Sequence, residues 1–201
     1  MIAIIDYGAG NLKSVKKAFD YIGVTNRVVS SIKRLRDVDG VVLPGVGAFG
    51  AAVKKLQNSG FVPLLIDYLQ KNKPFLGICL GMQLMMGSSE ESKDVNGFNR
   101  FKGECKRFQT GKVPQIGWNQ ISKTRESTLL KGIDDHTFFY FIHSYYVSIY
   151  GDDAEIVAAT SCYHIDFVSV IEHGKMCAVQ FHPEKSGNAG LKVLKNWVNQ
   201  C

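Results

Sequence analysis

What the sequence lacks narrows its class before any motif is read. No stretch of the 201 residues approaches the roughly 18 consecutive apolar residues that span a bilayer, so no membrane helix is expected. The first residues, MIAIIDYGAGN, carry neither a basic leader nor a small-residue cleavage site and do not read as a signal peptide. Cysteine is sparse: Cys79, Cys105, Cys162, Cys177 and Cys201 are odd in number and form no C-x-x-C pair. That argues against a disulfide framework or a zinc site and for a reducing, cytoplasmic compartment. Repeats, low-complexity tracts and linker-like stretches are missing too, so one domain over residues 1–201 is expected. There is also no concentrated basic element. The formal charge of +6 is scattered in small groups (Lys16 and Lys17, Lys33 to Arg36, Lys54 and Lys55, Arg100 to Arg107). A nucleic-acid binder would gather such residues on one face with interleaved aromatics, so a solvated basic surface is expected instead.

What is present suffices for an ordinary folded domain: 45% apolar and 21% charged residues over this length can bury a real core. The first half alternates strand and helix signals. MIAIID is a short apolar run ending in turn residues, and Asn11 then caps a helix carrying Leu12, Val15, Phe19 and Ile22 at helical spacing. GVVLPG (40–45) and KPFLGIC (73–79) read as buried strands, with 48–71 mostly helical between them and a helix over 80–86 after them. Strands separated by helices imply parallel pairing with helices on both faces. From about residue 97 the texture becomes β-rich, in FNRFKGECKRF, QIGWNQIS, TFFYFIHSYYVSIY, EIVAAT, DFVSVIEHG and KMCAVQFH. GLKVLKNWVNQ then closes the chain as an amphipathic helix. The fold expected is α/β, a single domain with a mixed, mostly parallel central sheet flanked by helices.

Three segments carry candidate chemistry. Gly77-Ile78-Cys79-Leu80-Gly81 is a G-x-C-x-G pattern in a strand–turn–helix context, the setting of a nucleophile elbow. There a following helix N-terminus favours thiolate over thiol. Taken alone, Cys79 reads equally well as a buried structural thiol. QFHPEKS (180–186) offers a base: His182 and Glu184 are two apart, and in an extended segment, which Pro183 favours, both side chains point to one side. Glu184 could orient His182, and His182 could serve Cys79. A lone H-x-E is common and carries little by itself. LPGVGAFG (43–50) places glycines where backbone amides could approach a developing oxyanion, although a plain strand-to-helix loop explains it equally. No metal-ligand spacing is found, and no cofactor is called for.

Together these segments resemble the class I (triad-type) glutamine amidotransferases, and among them the glutaminase subunits of imidazole glycerol phosphate synthases. The likeness runs through IAIIDYGAGNLKSV, LPGVGAFG, GICLGMQL, VPQIGWN, YFIHSYY and QFHPEKSG, nearly the whole chain. The resemblance implies a flavodoxin-like fold and a single type-1 amidotransferase domain over 1–201. It makes Cys79 the nucleophile on the glutamine carboxamide, His182 its base and Glu184 the orienting carboxylate. Gly45, Val46 and Gly47 fall in the oxyanion segment, Gln83 at a substrate-contacting position, and Glu91 where a carboxylate holds the α-amino group. His143, Ser144 and Tyr145 match a stretch lining the glutamine pocket through its backbone. Asn11, Trp118, Tyr140 and Lys185 fall in segments near the interface with a (β/α)8-barrel cyclase, with which the chain would form a heterodimer and to which it would channel ammonia in histidine biosynthesis. The family's glutaminases are stimulated by ligand in the synthase. One departure is Gln115 in VPQIGWN, where the family usually has histidine. A second reading is therefore a paralogous amidotransferase feeding ammonia into acetamidino-sugar formation for surface polysaccharides.

Overall fold

The computed structural model describes residues 1–35 and 37–201; Arg36, part of the 33–36 basic group, lies outside the described residues. The strongest apolar runs form the centre of one large sheet. These are β1 (Ile2–Ile5), β3 (Gly40–Gly45), β4 (Phe75–Cys79) and, late in the chain, β13 (Met176–Val179), all buried along their length. Strands covered on both faces must be apolar throughout, which is why these four read so clearly. With β2 (Asn26–Val29) at the edge, the order is β2-β1-β3-β4-β13 and every pair is parallel. The strand β2 carries no comparable signal and was not expected. Only Val29 of its four residues is fully buried, as suits an edge strand.

Helices cover both faces of this block. On one side lies α1 (Leu12–Tyr21), its N-terminus capped by the Asn11 side chain accepting the Ser14 N–H at 3.4 Å. It packs with the closing helix α5 (Gly187–Val198), where Phe19 meets Trp197 edge to face at 6.1 Å. Trp197 also donates its indole N–H to the Phe75 carbonyl at 3.2 Å, tying the chain end to β4. On the other side are α2 (Phe49–Asn58) and α3 (Phe61–Gln70). The expected helical stretch 48–71 is thus broken in two at Gly60, whose φ of +73° suits glycine and ends helical pairing. The helix expected over 80–86 is also shorter: α4 covers Leu80–Gln83 only, followed by turns to Met86.

The second half supplies β5 (Ser88–Ser89), β6 (Gly103–Arg107), β7 (Gln115–Gln120), β8 (Ser122–Lys123), β9 (Phe138–His143), β10 (Tyr145–Ile149), β11 (Val157–Tyr163) and β12 (Ile165–His173). From β13 the sheet continues antiparallel through β12, β10 and β6, with β5 at the far edge and β11 and β8 off the main path. The strands β7 and β9 form a separate two-stranded antiparallel ribbon. The result is the expected mixed α/β sheet with helices on both faces. The C-terminal ends of β3, β4 and β13 lie side by side, where open α/β sheets present ligands.

Candidate active site

The chain leaves β4 through a sharp turn. Cys79, its last residue, has φ +54° and ψ −108°, a conformation that costs a non-glycine residue about 1–3 kcal/mol. Close packing holds it there. A methyl group on Gly81 would fall 1.9 Å from the Leu43 carbonyl oxygen, and one on Gly77 would fall 2.8 Å from the Gly81 oxygen. The two glycines of the motif therefore let β3, β4 and the turn touch backbone to backbone. The thiol emerges at a cavity of about 440 Å³. Because α4 is a single turn, it supplies little of the helix dipole expected for a thiolate. The sulfur's side-chain neighbours matter more.

His182 reaches this site from the end of β13, and its Nδ1 lies 2.8 Å from Glu184 Oε1. The pairing was expected from an extended segment, but Pro183–Lys185 is a 3-10 turn. The turn, rather than alternation along a strand, folds the carboxylate back onto the ring. Ser186 latches the arrangement: its hydroxyl donates to the His182 carbonyl at 2.6 Å and accepts the Tyr140 N–H at 3.0 Å. The His182 N–H in turn donates to the Tyr140 carbonyl at 2.9 Å. Burial alone would depress the imidazolium, but the charge of Cys79 and then Glu184 outweigh it and hold His182 up at about 10. Its Nε2 is buried, and the Cys79 sulfur is the neighbour that raises it most, the group with which it exchanges the thiol proton.

The cavity beside Cys79 is lined by Val46, Gly47, Gln83, Glu91, His143, Ser144 and Tyr145 among others. Gly45 lies behind this wall, its Cα packed so closely that an added methyl would sit 2.6 Å from the Tyr7 hydroxyl. Gly47 adopts φ +98°, with open space where a Cβ would stand. Glu91 accepts the Phe49 N–H at 2.6 Å, which places a carboxylate at the first turn of α2 and on the cavity. The carbonyl of Tyr145 accepts from Gln83 Nε2 at 2.9 Å and from His143 Nδ1 at 2.8 Å. That bond puts the His143 proton on Nδ1, and burial pushes its pKa down to about 4, so the ring is neutral near pH 7.

Two residues at the sulfur were given no role in the sequence. Gln180, wholly buried, donates from Nε2 to Cys79 Sγ at 3.6 Å. It stands two before His182 at the end of a β-run, the one signal that could have found it. Among the described residues the buried Tyr7 hydroxyl has no hydrogen-bond partner, and burial followed by the charge of Cys79 pushes its phenol well above the ordinary range. Its place in IDYGAG carries no chemical signal at all.

The expected partner-facing residues are partly gathered. Trp118 and Tyr140 pair edge to face at 6.1 Å across the β7–β9 ribbon, and Lys185 Nζ stands 5.6 Å from the Tyr140 ring centre. Ile116 and Phe138 extend the exposed apolar face beside them. Asn11 is the cap of α1. Gln115, the departure from the family pattern, is buried opposite His143 rather than on the exposed face.

Residues 3–201 match the family model described as glutamine amidotransferase class-I. The chain is 48% identical over 201 residues to the imidazole glycerol phosphate synthase subunit HisH of Chlorobium luteolum, covering 98% of this chain and 99% of that one. It is 47% identical over 199 residues to the same subunit of Methanothermobacter thermautotrophicus, covering 98% of each. Among solved structures, a glutamine amidotransferase superposes with a TM-score of 0.79 at 15% identity, covering 100% of this chain and 98% of that one, a likeness of fold. With the elbow, the His182–Glu184 pair and the cavity in place, the chain belongs to the class-I glutamine amidotransferases.

Proposed function

We propose that this chain is the glutaminase subunit of an imidazole glycerol phosphate synthase, acting in the cytoplasm as one amidotransferase domain over residues 1–201. It hydrolyses glutamine to glutamate and passes the ammonia to a cyclase subunit, which makes imidazole glycerol phosphate and an aminoimidazole carboxamide ribotide in histidine biosynthesis. The observation that carries the hydrolysis is the meeting of Cys79, on its strained turn, with the His182–Glu184 pair at one cavity. Relatives at 42–48% identity, nearly full length on both sides, bear the synthase subunit's name and favour the histidine pathway over acetamidino-sugar formation. The buried Gln115 points the same way, since the departure leaves the exposed ribbon unaltered.

The residues divide the reaction as follows. Cys79 gives its proton to His182, and the thiolate adds to the side-chain carbonyl carbon of glutamine. The oxyanion is met by backbone N–H groups of the 45–47 segment, a type of donor whose loss typically costs about 10²–10³ in rate. As the C–N bond breaks, the imidazolium, held charged by Glu184, protonates the leaving nitrogen and ammonia departs. Water then attacks the thioester with His182 as base, releasing glutamate and restoring the thiol. Glu91 holds the α-amino group, while Gln83 and the backbone of His143–Tyr145 hold the rest. Ammonia near neutral pH is mostly ammonium in water, so it must pass through a dry interface. The face bearing Trp118, Tyr140 and Lys185, with Asn11, meets a (β/α)8-barrel partner. Gly45 and Gly47 flank a peptide that can present either its N–H or its C=O to the site, and the liganded partner would select the N–H.

Cys79→Ala in the assembled synthase tests this. Glutamine-dependent synthesis should vanish while synthesis from high free ammonia continues. If the folded, assembled variant lost both, or kept glutamine hydrolysis, the reading would fail.

A further inference from the structure

The carboxamide of Gln180 is held from both ends. Its Oε1 accepts an N–H from Gln83 at 3.1 Å, and its Nε2 donates to Cys79 Sγ at 3.6 Å. Gln83 spends its other N–H on the Tyr145 carbonyl at 2.9 Å. Both hydrogens of that amide are therefore committed, and the group Gln83 meets on Gln180 has to be an acceptor. This dictates which way the Gln180 amide faces: oxygen to Gln83, amino group to the sulfur. The backbone is anchored as well, the Gln180 N–H donating to the Ser169 carbonyl at 2.9 Å.

The sulfur has a competing neighbour. Cys79 Sγ stands 3.8 Å from the Ile142 carbonyl, to which a thiol can donate and which a thiolate cannot use. Ile142 thus favours the protonated form and Gln180 the ionised one. The short α4 does little for the charge, which leaves the His182 imidazolium and the Gln180 amide to hold it. We propose that Gln180 is a positioning residue that stabilises and aims the Cys79 thiolate through an N–H···S bond whose direction Gln83 sets. This rests on Cys79 being the nucleophile.

The experiment follows Cys79 itself rather than turnover. The full chain bound to its cyclase partner is treated with iodoacetamide across pH, and alkylation of the Cys79 peptide is timed by mass spectrometry. In Gln180→Leu the apparent thiol midpoint should rise by about one unit and the rate near pH 7 fall about tenfold, as expected for loss of a hydrogen bond to a charged acceptor. Gln180→Glu keeps the shape and still accepts from Gln83. Once ionised it cannot donate and adds like charge, so its midpoint should rise at least as far. Should Gln180→Leu fail to fold, Gln180→Glu decides alone. An unchanged midpoint in a folded variant overturns the proposal, even if the rate falls, since a merely structural change would slow access without moving the titration. Persistent glutamine hydrolysis in Cys79→Ala would instead sink the nucleophile assignment, a failure separable from this one.

Discussion

The parallel half of the sheet and its antiparallel flank meet at β13, which pairs parallel with β4 on one side and antiparallel with β12 on the other. They do different work. The inner strands of the parallel half are buried from end to end and place Cys79 by backbone contacts that leave no room for a methyl group. The β7–β9 ribbon alternates: in β9, Phe139, Phe141 and His143 are buried while Phe138 is exposed. The end of β9 and the residues after it, Ile142 to Tyr145, line the cavity, while Trp118 and Phe138 stand exposed on the ribbon. A reacting atom needs a site that cannot yield, whereas a partner needs a surface that costs the core nothing to vary.

Breaking the parallel half should have the largest effect. In Gly81→Ala the new methyl meets the backbone of β3, which cannot rotate away. Glutamine hydrolysis should be lost, and Tm should fall by roughly 2–12 °C, on about 1–3 kcal/mol for overpacking and 2–4 °C per kcal/mol at this size. An active, undiminished variant would show that the contact relaxes freely. Next comes the junction. Glu184→Gln removes the charge that helps hold His182 up, and glutamate release should drop about 10²–10⁴-fold. A loss of less than tenfold would assign the orientation of His182 to Ser186 and the backbone instead.

On the exposed ribbon, Trp118→Ala should leave Tm nearly unchanged yet weaken binding of the cyclase about tenfold or more in a titration. Equal affinity would move the interface elsewhere. The buried side of the ribbon is tested at His143, through the pH dependence of stability. Burial holds its pKa at about 4 against an ordinary 6.5, so the unfolded chain takes up the proton first. Its contribution to stability is therefore complete above pH 6.5 and fades as pH falls toward 4. In denaturant melts, the gap between the wild type and His143→Gln should narrow over that window, and a constant gap would contradict the assigned burial effect.

The parts legible in advance share one physical property: they depend on neighbours close in sequence. The strands at 40–45 and 73–79 announce themselves because double-sided burial demands continuous apolar residues. The cap at Asn11 and the elbow glycines are equally local. The edge strand β2 stayed hidden because half-exposure weakens its pattern. The break at Gly60 and the short α4 stayed hidden because apolar spacing alone does not set where a helix ends. The pairing of His182 with Glu184 was reached through the wrong local geometry, an extended segment rather than a turn, since both bring residues two apart together.

By itself, then, the sequence determined the fold class, the nucleophile candidate and the H-x-E pair, each written within a few consecutive residues. Tertiary structure alone decided which groups surround the sulfur. Gln180 is 101 residues from Cys79, Ile142 is 63, and Tyr7 lies at the end of another strand. Their arrival depends on the order β1-β3-β4-β13 and on the ribbon folding over the strand ends. That order is chosen by the packing of whole elements, a sum over many weak contacts that no short motif encodes.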